Sequence, residues 1–242
     1  MSEFEKYAII VSGGSGNRME SKLPKQFLEL KGLPILMHSI SAFHKNAVSI
    51  KIILVLSELH LKIWEDLCAK HNFTIPHTIV FGGQSRFHSV KQGLNFIFNR
   101  ETAVNVPLIQ TNSSAKILIA VHDGARPLVS QDLINRAFIQ AEKKGSAVPA
   151  IKSRDSLRII GSQGQTKAIN RDSVLLIQTP QIFQAQLLNE AYKQEFNESF
   201  TDDASVIEKS GYPINIIDGD IRNIKITYPI DLEIAGIHGT IN

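Results

Sequence analysis

The 242-residue sequence has no pair of cysteines, no long apolar run and no strong net charge. Cys68 stands alone, so no disulfide can form within the chain, and nothing points to an oxidising compartment. No apolar run approaches the roughly 20 residues needed to cross a bilayer, and the first residues carry no signal-peptide core. We therefore expect a cytoplasmic protein without a membrane segment.

The balance of basic and acidic residues limits which kinds of binding partner we expect. With 26 basic and 23 acidic residues the formal net charge is +3, and the two signs are interspersed. Such a weak, scattered charge argues against nucleic acid as a partner, although it would not repel an anionic substrate. The rest of the composition, 43% hydrophobic with 15 Gly and 9 Pro, is typical of a globular protein. The length suits one domain with a sizeable core, and we take residues 1–242 as that domain.

Short β-branched runs alternate along the chain with longer segments of helical period. The runs predicted as buried strands are Tyr7–Val11, Lys51–Leu56, His77–Phe81, Lys116–Val121 and Ser146–Ile151. The segments predicted as helices between them are Ile35–His44, Leu59–His71, Ser85–Asn99 and Gln131–Lys144. This alternation predicts an α/β fold, with a mostly parallel, Rossmann-like sheet covered by helices on both faces.

Two segments break this rhythm. Residues 100–115 are polar and contain proline, which predicts a long surface loop. Residues 152–177 have no helical face and contain short alternating pieces around Gly161–Gly164, which predict a protruding β-hairpin arm outside the main sheet. Beyond the arm we expect helices near 184–194 and 203–210, a strand at 214–217 and a last helix from Pro229.

The residues that follow the strands are the candidates for function, because ligands bind beyond the carboxyl ends of such strands. The first strand is followed by Ser12-Gly13-Gly14-Ser15-Gly16-Asn17-Arg18. The glycines would let the backbone approach a phosphate, and successive N–H groups would form an anion nest. A tight structural turn fits the same residues equally well. The loop matches neither a Walker A sequence nor a dinucleotide fingerprint.

Arg18 and Lys25 follow within the same connection. Attack on a nucleotide α-phosphorus adds negative charge in the transition state, and cations held near that centre would stabilise it. The competing interpretation is a pair of solvated surface cations.

The predicted fourth strand ends in Val121-His122-Asp123-Gly124-Ala125-Arg126-Pro127. An aspartate at a strand end, here Asp123, could hold a divalent cation or a substrate hydroxyl, and Arg126 could bind a phosphate. A plain turn is the competing interpretation. His122 points away from Asp123 in an extended strand, so we expect it to pack or hydrogen-bond locally.

Six short motifs occur in a fixed order along the chain. They are Gly13-Gly14-Ser15-Gly16-Asn17-Arg18-Met19, Pro24-Lys25-Gln26-Phe27, His122-Asp123-Gly124-Ala125-Arg126-Pro127, Gln178-Thr179-Pro180-Gln181, Thr201-Asp202-Asp203-Ala204-Ser205 and Asn223-Ile224-Lys225-Ile226-Thr227. Together they closely resemble the 2-C-methyl-D-erythritol 4-phosphate cytidylyltransferase family of the non-mevalonate isoprenoid pathway, from about Tyr7 to Leu232. The resemblance implies transfer of a cytidylyl group from CTP to 2-C-methyl-D-erythritol 4-phosphate, with release of pyrophosphate.

The resemblance also implies roles for individual residues. The phosphates of CTP would be bound by the loop residues Ser12, Gly13, Gly14, Ser15 and Gly16. The catalytic cations around the α-phosphorus would be Arg18, Lys25 and Lys225. Cytosine would be recognised by Gly83, Ser89 and the backbone near Gly124. The sugar-alcohol phosphate would be held by Asp123, Arg126, Ser156, Arg171, Thr179 and Thr201.

The resemblance further implies a cofactor and a partner. Mg²⁺ would be held mainly by the CTP phosphates, without a dedicated metal site in the protein. The chain would form a homodimer through the arm 152–177, so that Arg171 and Thr179 reach into the partner's site. Neither nucleic acid nor a membrane is implied as a partner.

The sequence departs from the family pattern in a few places. Ser12 and Gly13 stand where Ala-Ala is common, Ser156 stands where threonine is usual, and Gln84 replaces a common acidic residue. None of these changes removes a charge that the chemistry needs, and Ser156 keeps a hydroxyl donor and acceptor.

Two alternatives stay open at this point. A ribitol-5-phosphate cytidylyltransferase shares the fold and the early motifs. A non-catalytic nucleotide-binding protein could also keep the fold. Arg18, Lys25, Asp123 and Lys225 argue against the second alternative, because a sensor needs no transition-state cations.

Overall fold

The structure of the protein, a computed structural model, describes residues 4–14, 23–47, 49–99 and 116–238. The predicted loop 100–115 lies outside these ranges, as do Ser15, Gly16 and Arg18 of the glycine loop.

The described ranges contain strands and helices in regular alternation. The strands are β1 (Glu5–Ser12), β2 (Glu29–Leu30), β3 (Leu33–Pro34), β4 (Lys51–Leu56), β5 (Thr78–Phe81), β6 (Ile117–Asp123), β7 (Ser146–Lys152), β8 (Leu157–Ile160), β9 (Thr166–Ile169), β10 (Leu175–Ile177), β11 (Gln181–Gln184) and β12 (Ile216–Asp218). The α-helices are α1 (Ile35–Asn46), α2 (Leu61–Lys70), α3 (Arg86–Asn99), α4 (Gln131–Lys144), α5 (Ala185–Ala191), α6 (Asp203–Lys209) and α7 (Pro229–His238). Each predicted strand and helix is present, with ends that differ by a few residues.

Most of the strands join one mixed sheet, in the order β10–β7–β11–β6–β1–β4–β5, with β12 paired to β7. β1 is central and runs parallel to both β4 and β6, and β4 runs parallel to β5. β11 is inserted antiparallel between β6 and β7. The central strands are unbroken apolar runs that are buried on both faces, as parallel strands usually are. The predicted α/β class is therefore confirmed.

Helices cover both faces of this sheet, because successive side chains of a strand point to opposite sides. Ile10 of β1 packs in a cluster with residues of α1, α2 and α4, whereas Ile9 packs in a second cluster with residues of α3, α5 and α6. Gly93 of α3 lies against Ile9, where an added Cβ would come within 2.9 Å of the isoleucine side chain. The missing side chain thus lets α3 approach β1 closely, and both layers of the core are formed around the same strand.

β11 is a central strand of the main sheet that the sequence pattern did not predict. Its residues Gln-Ile-Phe-Gln follow Pro180 and show no clean alternation. Gln181 is fully buried, and its side chain bonds to the start of α6: the amide donates to Asp202 Oδ2 at 2.8 Å, and the oxygen accepts from the Ala204 N–H at 2.8 Å. A buried glutamine is tolerated there only because tertiary contacts satisfy it, and no local pattern reports such contacts.

Within the predicted arm 152–177, β8 and β9 pair antiparallel as a hairpin. The turn between them uses Gly164 at φ +83°, a left-handed conformation that favours glycine. The apolar side chains of Ile159 and Ile160 are 57% and 74% exposed. The end of the segment, Leu175–Ile177, pairs with β7 and belongs to the edge of the main sheet. The hairpin is therefore shorter than the predicted arm, and its role in dimerisation stays a prediction.

Across the described ranges, every helix is too short or too polar to traverse a bilayer.

Candidate active site

A cleft of about 670 Å³ opens beyond the carboxyl ends of β1 and β6 and beside the start of α3. The residues lining it are Val11, Ser12, Gly13, Gly14, Lys25, Gln26, Gly83, Gln84, Ser85, Arg86, Ser89, Asp123, Ala125, Lys225 and Thr227. This described lining includes three cations and one carboxylate. An excess of positive charge at the edge where ligands bind in parallel α/β sheets indicates an anionic ligand.

The glycine loop forms one wall of the cleft. Gln26 is buried, and its side-chain amide donates to the carbonyl oxygens of Ser12 and Gly14 at 3.2 and 3.4 Å. This pair of contacts fixes the start of the loop against the turn that carries Lys25. The hydroxyl of Ser12 is buried and has no partner among the described residues. An unpaired polar group is costly to bury, so a ligand that bonded to this hydroxyl would remove that cost.

A second glycine pair, Gly82 and Gly83, lies between β5 and α3, and Gly83 lines the facing wall of the cleft. The Gly83 N–H donates to Ser89 Oγ at 3.2 Å, and an added Cβ on Gly82 would lie 2.8 Å from the same oxygen. An added Cβ on Gly13 would lie 3.7 Å from Ser89 Oγ, so the two loops meet around this serine. The structure therefore brings Gly13, Gly83 and Ser89 together, as the sequence predicts. Gly124 is not among the lining residues.

Two lysines that are far apart in sequence converge on the cleft. Lys25 Nζ donates to the Ile226 carbonyl oxygen at 2.9 Å, across 201 residues of chain. Lys225, the neighbour of that acceptor, places its Nζ 2.7 Å from Asp123 Oδ2. Both predicted catalytic cations in the described ranges thus line one cleft, whereas Arg18 lies outside them.

Asp123 is held by two cations at the end of β6. Arg86 Nε donates to Oδ1 at 3.1 Å, and Lys225 Nζ donates to Oδ2. Burial by itself would raise the pKa of the Asp123 carboxyl, but Arg86 and Lys225 lower it well below its usual range. Asp123 is therefore an anion at any working pH, and a fixed electrostatic partner is its chemical role here.

Arg86 is a charged cleft residue to which sequence reasoning gave no role of its own. Its Nη1 and Nη2 donate to Asp203 Oδ1 and Oδ2 at 2.8 and 2.7 Å, and Tyr192 Oη donates to Asp203 Oδ1 at 2.6 Å. Burial alone would lower the pKa of Arg86, but Asp203 and Asp123 raise it well above its usual value. The signal in the sequence that could have identified Arg86 was its position, because it begins α3 just beyond the carboxyl end of β5. Asp203 is 117 residues away, so the sequence could not show the pairing.

Arg126 and Thr179 lie behind Asp123 rather than in the cleft lining. Thr179 Oγ1 accepts from the Asp123 N–H at 3.0 Å and contacts His122 Nδ1 at 3.1 Å. Arg126 donates to the Asn223 carbonyl at 2.7 Å, and burial lowers the pKa of its guanidinium. Thr179 is buried and bonded within its own chain, which corrects the expectation that it reaches into a partner's site.

His122 is fully buried and packs edge-on against Phe43. Its Nε2 lies 3.1 Å from the Arg126 carbonyl oxygen, which can only accept, so Nε2 carries the proton. Its Nδ1 then accepts from the Thr179 hydroxyl. This arrangement confirms the prediction that His122 packs and hydrogen-bonds locally.

Three further predicted acceptor residues, in addition to Arg126 and Thr179, lie outside the cleft lining of the single chain. Ser156 and Arg171 sit in the exposed hairpin segment, where Arg171 Nη1 donates to the Arg154 carbonyl at 3.0 Å. Thr201 is exposed and lies just before Asp202, the N-cap residue of α6. Within the described ranges, one chain therefore brings Ser12, Gly13, Gly14, Gly83 and Ser89 to the cleft but leaves these acceptor residues away from it.

The described cleft residues offer few side-chain ligands for Mg²⁺. Asp123 is the one carboxylate in the described cleft lining, and both its oxygens are ion-paired. The described ranges contain no group of three or more His, Cys, Asp or Glu side chains that could hold a metal. Mg²⁺ commonly binds one or two carboxylates together with substrate phosphates. These residues fit an ion held mainly by nucleotide phosphates beside Asp123.

Comparisons with known proteins agree with this geometry. The family model of 2-C-methyl-D-erythritol 4-phosphate cytidylyltransferase (IspD) matches residues 7–238. A protein of that name from Azobacteroides pseudotrichonymphae is 45% identical over 232 residues, which cover 96% of this chain and 97% of that protein. Its namesake from Bacteroides fragilis is 42% identical over 228 residues, which cover 94% and 96%.

A solved structure resembles the whole fold. The crystal structure of 4-diphosphocytidyl-2C-methyl-D-erythritol synthase from Anaerococcus prevotii superposes with a TM-score of 0.76 at 27% identity, covering 97% of this chain and 95% of that one. The match in sequence, in fold and in the order of the six motifs has one consequence: the chain belongs to the 2-C-methyl-D-erythritol 4-phosphate cytidylyltransferase family.

Proposed function

We propose that this protein transfers the cytidylyl group of CTP to 2-C-methyl-D-erythritol 4-phosphate and releases pyrophosphate. Family membership over residues 7–238 supports the reaction. The structural observation that carries it is the convergence of Lys25 and Lys225 on a cleft walled by two glycine loops. Cations and close backbone are what a nucleoside triphosphate needs at its α-phosphorus.

The reaction is an in-line displacement at phosphorus. A phosphate oxygen of the acceptor bonds to the α-phosphorus of CTP, and the bond from that phosphorus to the bridging oxygen of the β-phosphate breaks. Pyrophosphate leaves with the electron pair. The attacking oxygen is already ionised at neutral pH, so no protein base is required. Catalysis is then positioning and charge neutralisation.

The cleft residues divide the work. Ser12 to Gly16 bind the triphosphate through backbone N–H groups, and the buried Ser12 hydroxyl is placed to add a donor. Arg18, Lys25 and Lys225 stabilise the charge that develops on the α-phosphorus. Gly83 and Ser89, with the backbone at Gly124, form the side that accepts the base.

The acceptor half of the site combines residues from two places. Asp123, Arg126 and Thr179 act from the interior of the same chain, and the exposed Thr201 acts from just before α6. Ser156 and Arg171 act from the hairpin of a second copy in a homodimer. The exposed isoleucines of the hairpin support a partner surface there, because apolar side chains that protrude together are costly to leave in water.

Magnesium belongs to the same proposal. When bound, Mg²⁺ neutralises the phosphate charge of CTP and favours departure of pyrophosphate. Asp123, whose oxygens pair with Arg86 and Lys225, would lie beside the ion, and the CTP phosphates would hold it. A cytoplasmic site of action, expected from the single cysteine, is also part of the proposal.

The test is pyrophosphate release with CTP and Mg²⁺, comparing 2-C-methyl-D-erythritol 4-phosphate with ribitol 5-phosphate under the same conditions. We expect turnover with the first acceptor and at least a tenfold lower kcat/KM with the second, about the cost of one lost polar contact. Preference for ribitol 5-phosphate would keep the chemistry and overturn the acceptor. No turnover with either would favour a non-catalytic nucleotide-binding protein.

A further inference from the structure

An alternating chain of charges runs from a buried tyrosine to the cleft. Tyr192 bonds to Asp203, Asp203 to Arg86, Arg86 to Asp123, and Asp123 to Lys225. Tyr192 is 2% exposed and Asp203 is 0% exposed, whereas the side chain of Lys225 is 43% exposed. The chain therefore links the protein interior to one of the cations that faces the ligand.

The interior end of this chain is firmly anchored. Asp203 is the first residue of α6, and Asp202 before it caps the helix by accepting from the Ser205 N–H at 2.9 Å. Gln181 of β11 bonds to both Asp202 and the Ala204 N–H, so the helix start is fixed to the main sheet. A carboxylate held this way cannot follow a moving guanidinium.

The geometry of the Arg86 guanidinium determines which partners the two oxygens of Asp123 bind. Asp203 accepts one N–H from each Nη atom of Arg86, and Asp123 is bonded through Nε alone. Asp123 consequently keeps its second oxygen for Lys225 Nζ. Without Asp203, the fork of Arg86 would be free to bind both oxygens of Asp123, since bidentate pairing is the preferred geometry of arginine and carboxylate. Lys225 would then lose its partner.

We propose that Asp203 and Tyr192 are positioning residues for cytidylyl transfer, which hold Arg86 so that Asp123 fixes Lys225 in the cleft. This inference rests on the proposed function and deepens it. Neither residue touches the cleft, so both act through Arg86. The role differs from simple stabilisation, because it sets the place of a cation and not merely the strength of the fold.

Tyr192→Phe is the mildest probe, because the ring keeps its stack on Phe87 at 4.7 Å and loses only the hydroxyl. We expect kcat to fall about tenfold with the KM for CTP within about twofold, because small displacements of positioned groups cost up to about a hundredfold. The unfolding midpoint should fall by only about 2–4 °C, as for one lost hydrogen bond in a chain of this size. Tyr212→Phe, at an exposed tyrosine, is the matched control and should change neither quantity.

A double-mutant cycle with Asp123→Asn separates positioning from general destabilisation. If Tyr192 acts through Asp123, the double variant should be no slower than Asp123→Asn alone, because the pathway is already broken. Fully additive losses in kcat would overturn the proposal. A fall in unfolding midpoint with unchanged kcat would also overturn it, since that result describes a purely structural tyrosine.

A readout that needs no activity keeps this inference distinct from the proposed function. The acetylation rate of Lys225, measured by peptide mass spectrometry, should rise in Asp203→Asn because the lysine loses its carboxylate partner. Lys143 on the exposed face of α4 serves as the internal control in the same digest. An unchanged Lys225 rate would overturn the positioning role even in an active enzyme. A raised rate in a chain without turnover would support positioning while rejecting cytidylyl transfer.

Discussion

The cleft and the hairpin of β8 and β9 are built in opposite ways. At the cleft, Arg86 bonds to the carboxylates of Asp123 in β6 and Asp203 in α6. Lys25 bonds to a backbone carbonyl that lies 201 residues away in the sequence. In the hairpin, Arg158 donates to the side chain and the carbonyl oxygen of Thr166, eight residues along the same hairpin. The cleft is held from several directions, whereas the bonds described for the hairpin connect its own two strands.

This difference bears on how the proposed site would be divided between two chains. The groups that meet the reacting phosphate need fixed positions before the ligand arrives, and long-range contacts supply them. Ser156 and Arg171 lie in the exposed segment that carries the hairpin. This arrangement is compatible with the proposal that one chain binds the nucleotide and that a second copy adds acceptor contacts.

The largest expected effect tests the cleft. Lys25→Ala should lower kcat at least about a hundredfold, because removal of one preorganised transition-state donor typically costs that much. The KM for CTP should rise by no more than about threefold, since the loop and base contacts remain. Steady-state kinetics with varied CTP measure both, and Lys143→Ala is the surface control. Unchanged kcat with a raised KM would make Lys25 a binding residue only.

The next effect tests the hairpin through complementation. Lys25→Ala and Arg171→Ala should each be weakly active alone, yet a co-expressed equal mixture should regain about a quarter of wild-type activity. Half of the dimers would be hybrids, and each hybrid would have one intact site of two if the hairpin serves the partner. Differently tagged chains allow the hybrid to be purified and assayed. Absence of any gain would show that each hairpin serves its own chain, or that no dimer forms.

A third prediction concerns the pH dependence of stability. It applies to the core near the cleft and not to the hairpin, because the segment 152–177 contains no histidine. Burial lowers the pKa of His122 to about 4, whereas an unfolded histidine titrates near 6.5. Between these values the unfolded chain holds a proton that the folded chain lacks, so stability falls as pH decreases. This group should contribute a loss of about 2 kcal/mol between pH 7 and pH 5.

Urea unfolding at pH 7, 6 and 5 measures this slope. His122→Gln should be less stable at pH 7, because it loses packing against Phe43, but its stability should depend less on pH. An identical pH dependence in both proteins would mean that His122 titrates normally in the fold.

The smallest expected effect compares two glutamines. Gln26→Ala frees the carbonyls of Ser12 and Gly14 and should raise the KM for CTP about fivefold, the cost of one typical hydrogen bond. Gln163→Ala, at the exposed turn of the hairpin, should leave the KM for CTP unchanged. Equal KM values for both variants and the wild type would mean that the glycine loop holds its shape without Gln26.

Sequence patterns located the strands whose carboxyl ends form the cleft, because each strand is an apolar run with a polar residue directly after it. Asp123 was found this way, and Lys25 was found in the connection that follows the first strand, whereas Gly83 was implied only by the resemblance to the family. The same patterns missed β11, whose buried Gln181 is satisfied only by contacts with α6. They also extended the arm to residue 177, although Leu175–Ile177 joins the sheet edge through β7.

The sequence by itself determined the class of sheet, the loops at its carboxyl edge and the family, because these depend on local periodicity and on ordered short motifs. Only the tertiary structure decided which charges meet. Arg86 and Asp203 are 117 residues apart, and no local signal specifies that one guanidinium serves both Asp203 and Asp123. Such pairings depend on the packing of α3 and α6 against the same face of the sheet, which exists only after the chain has folded.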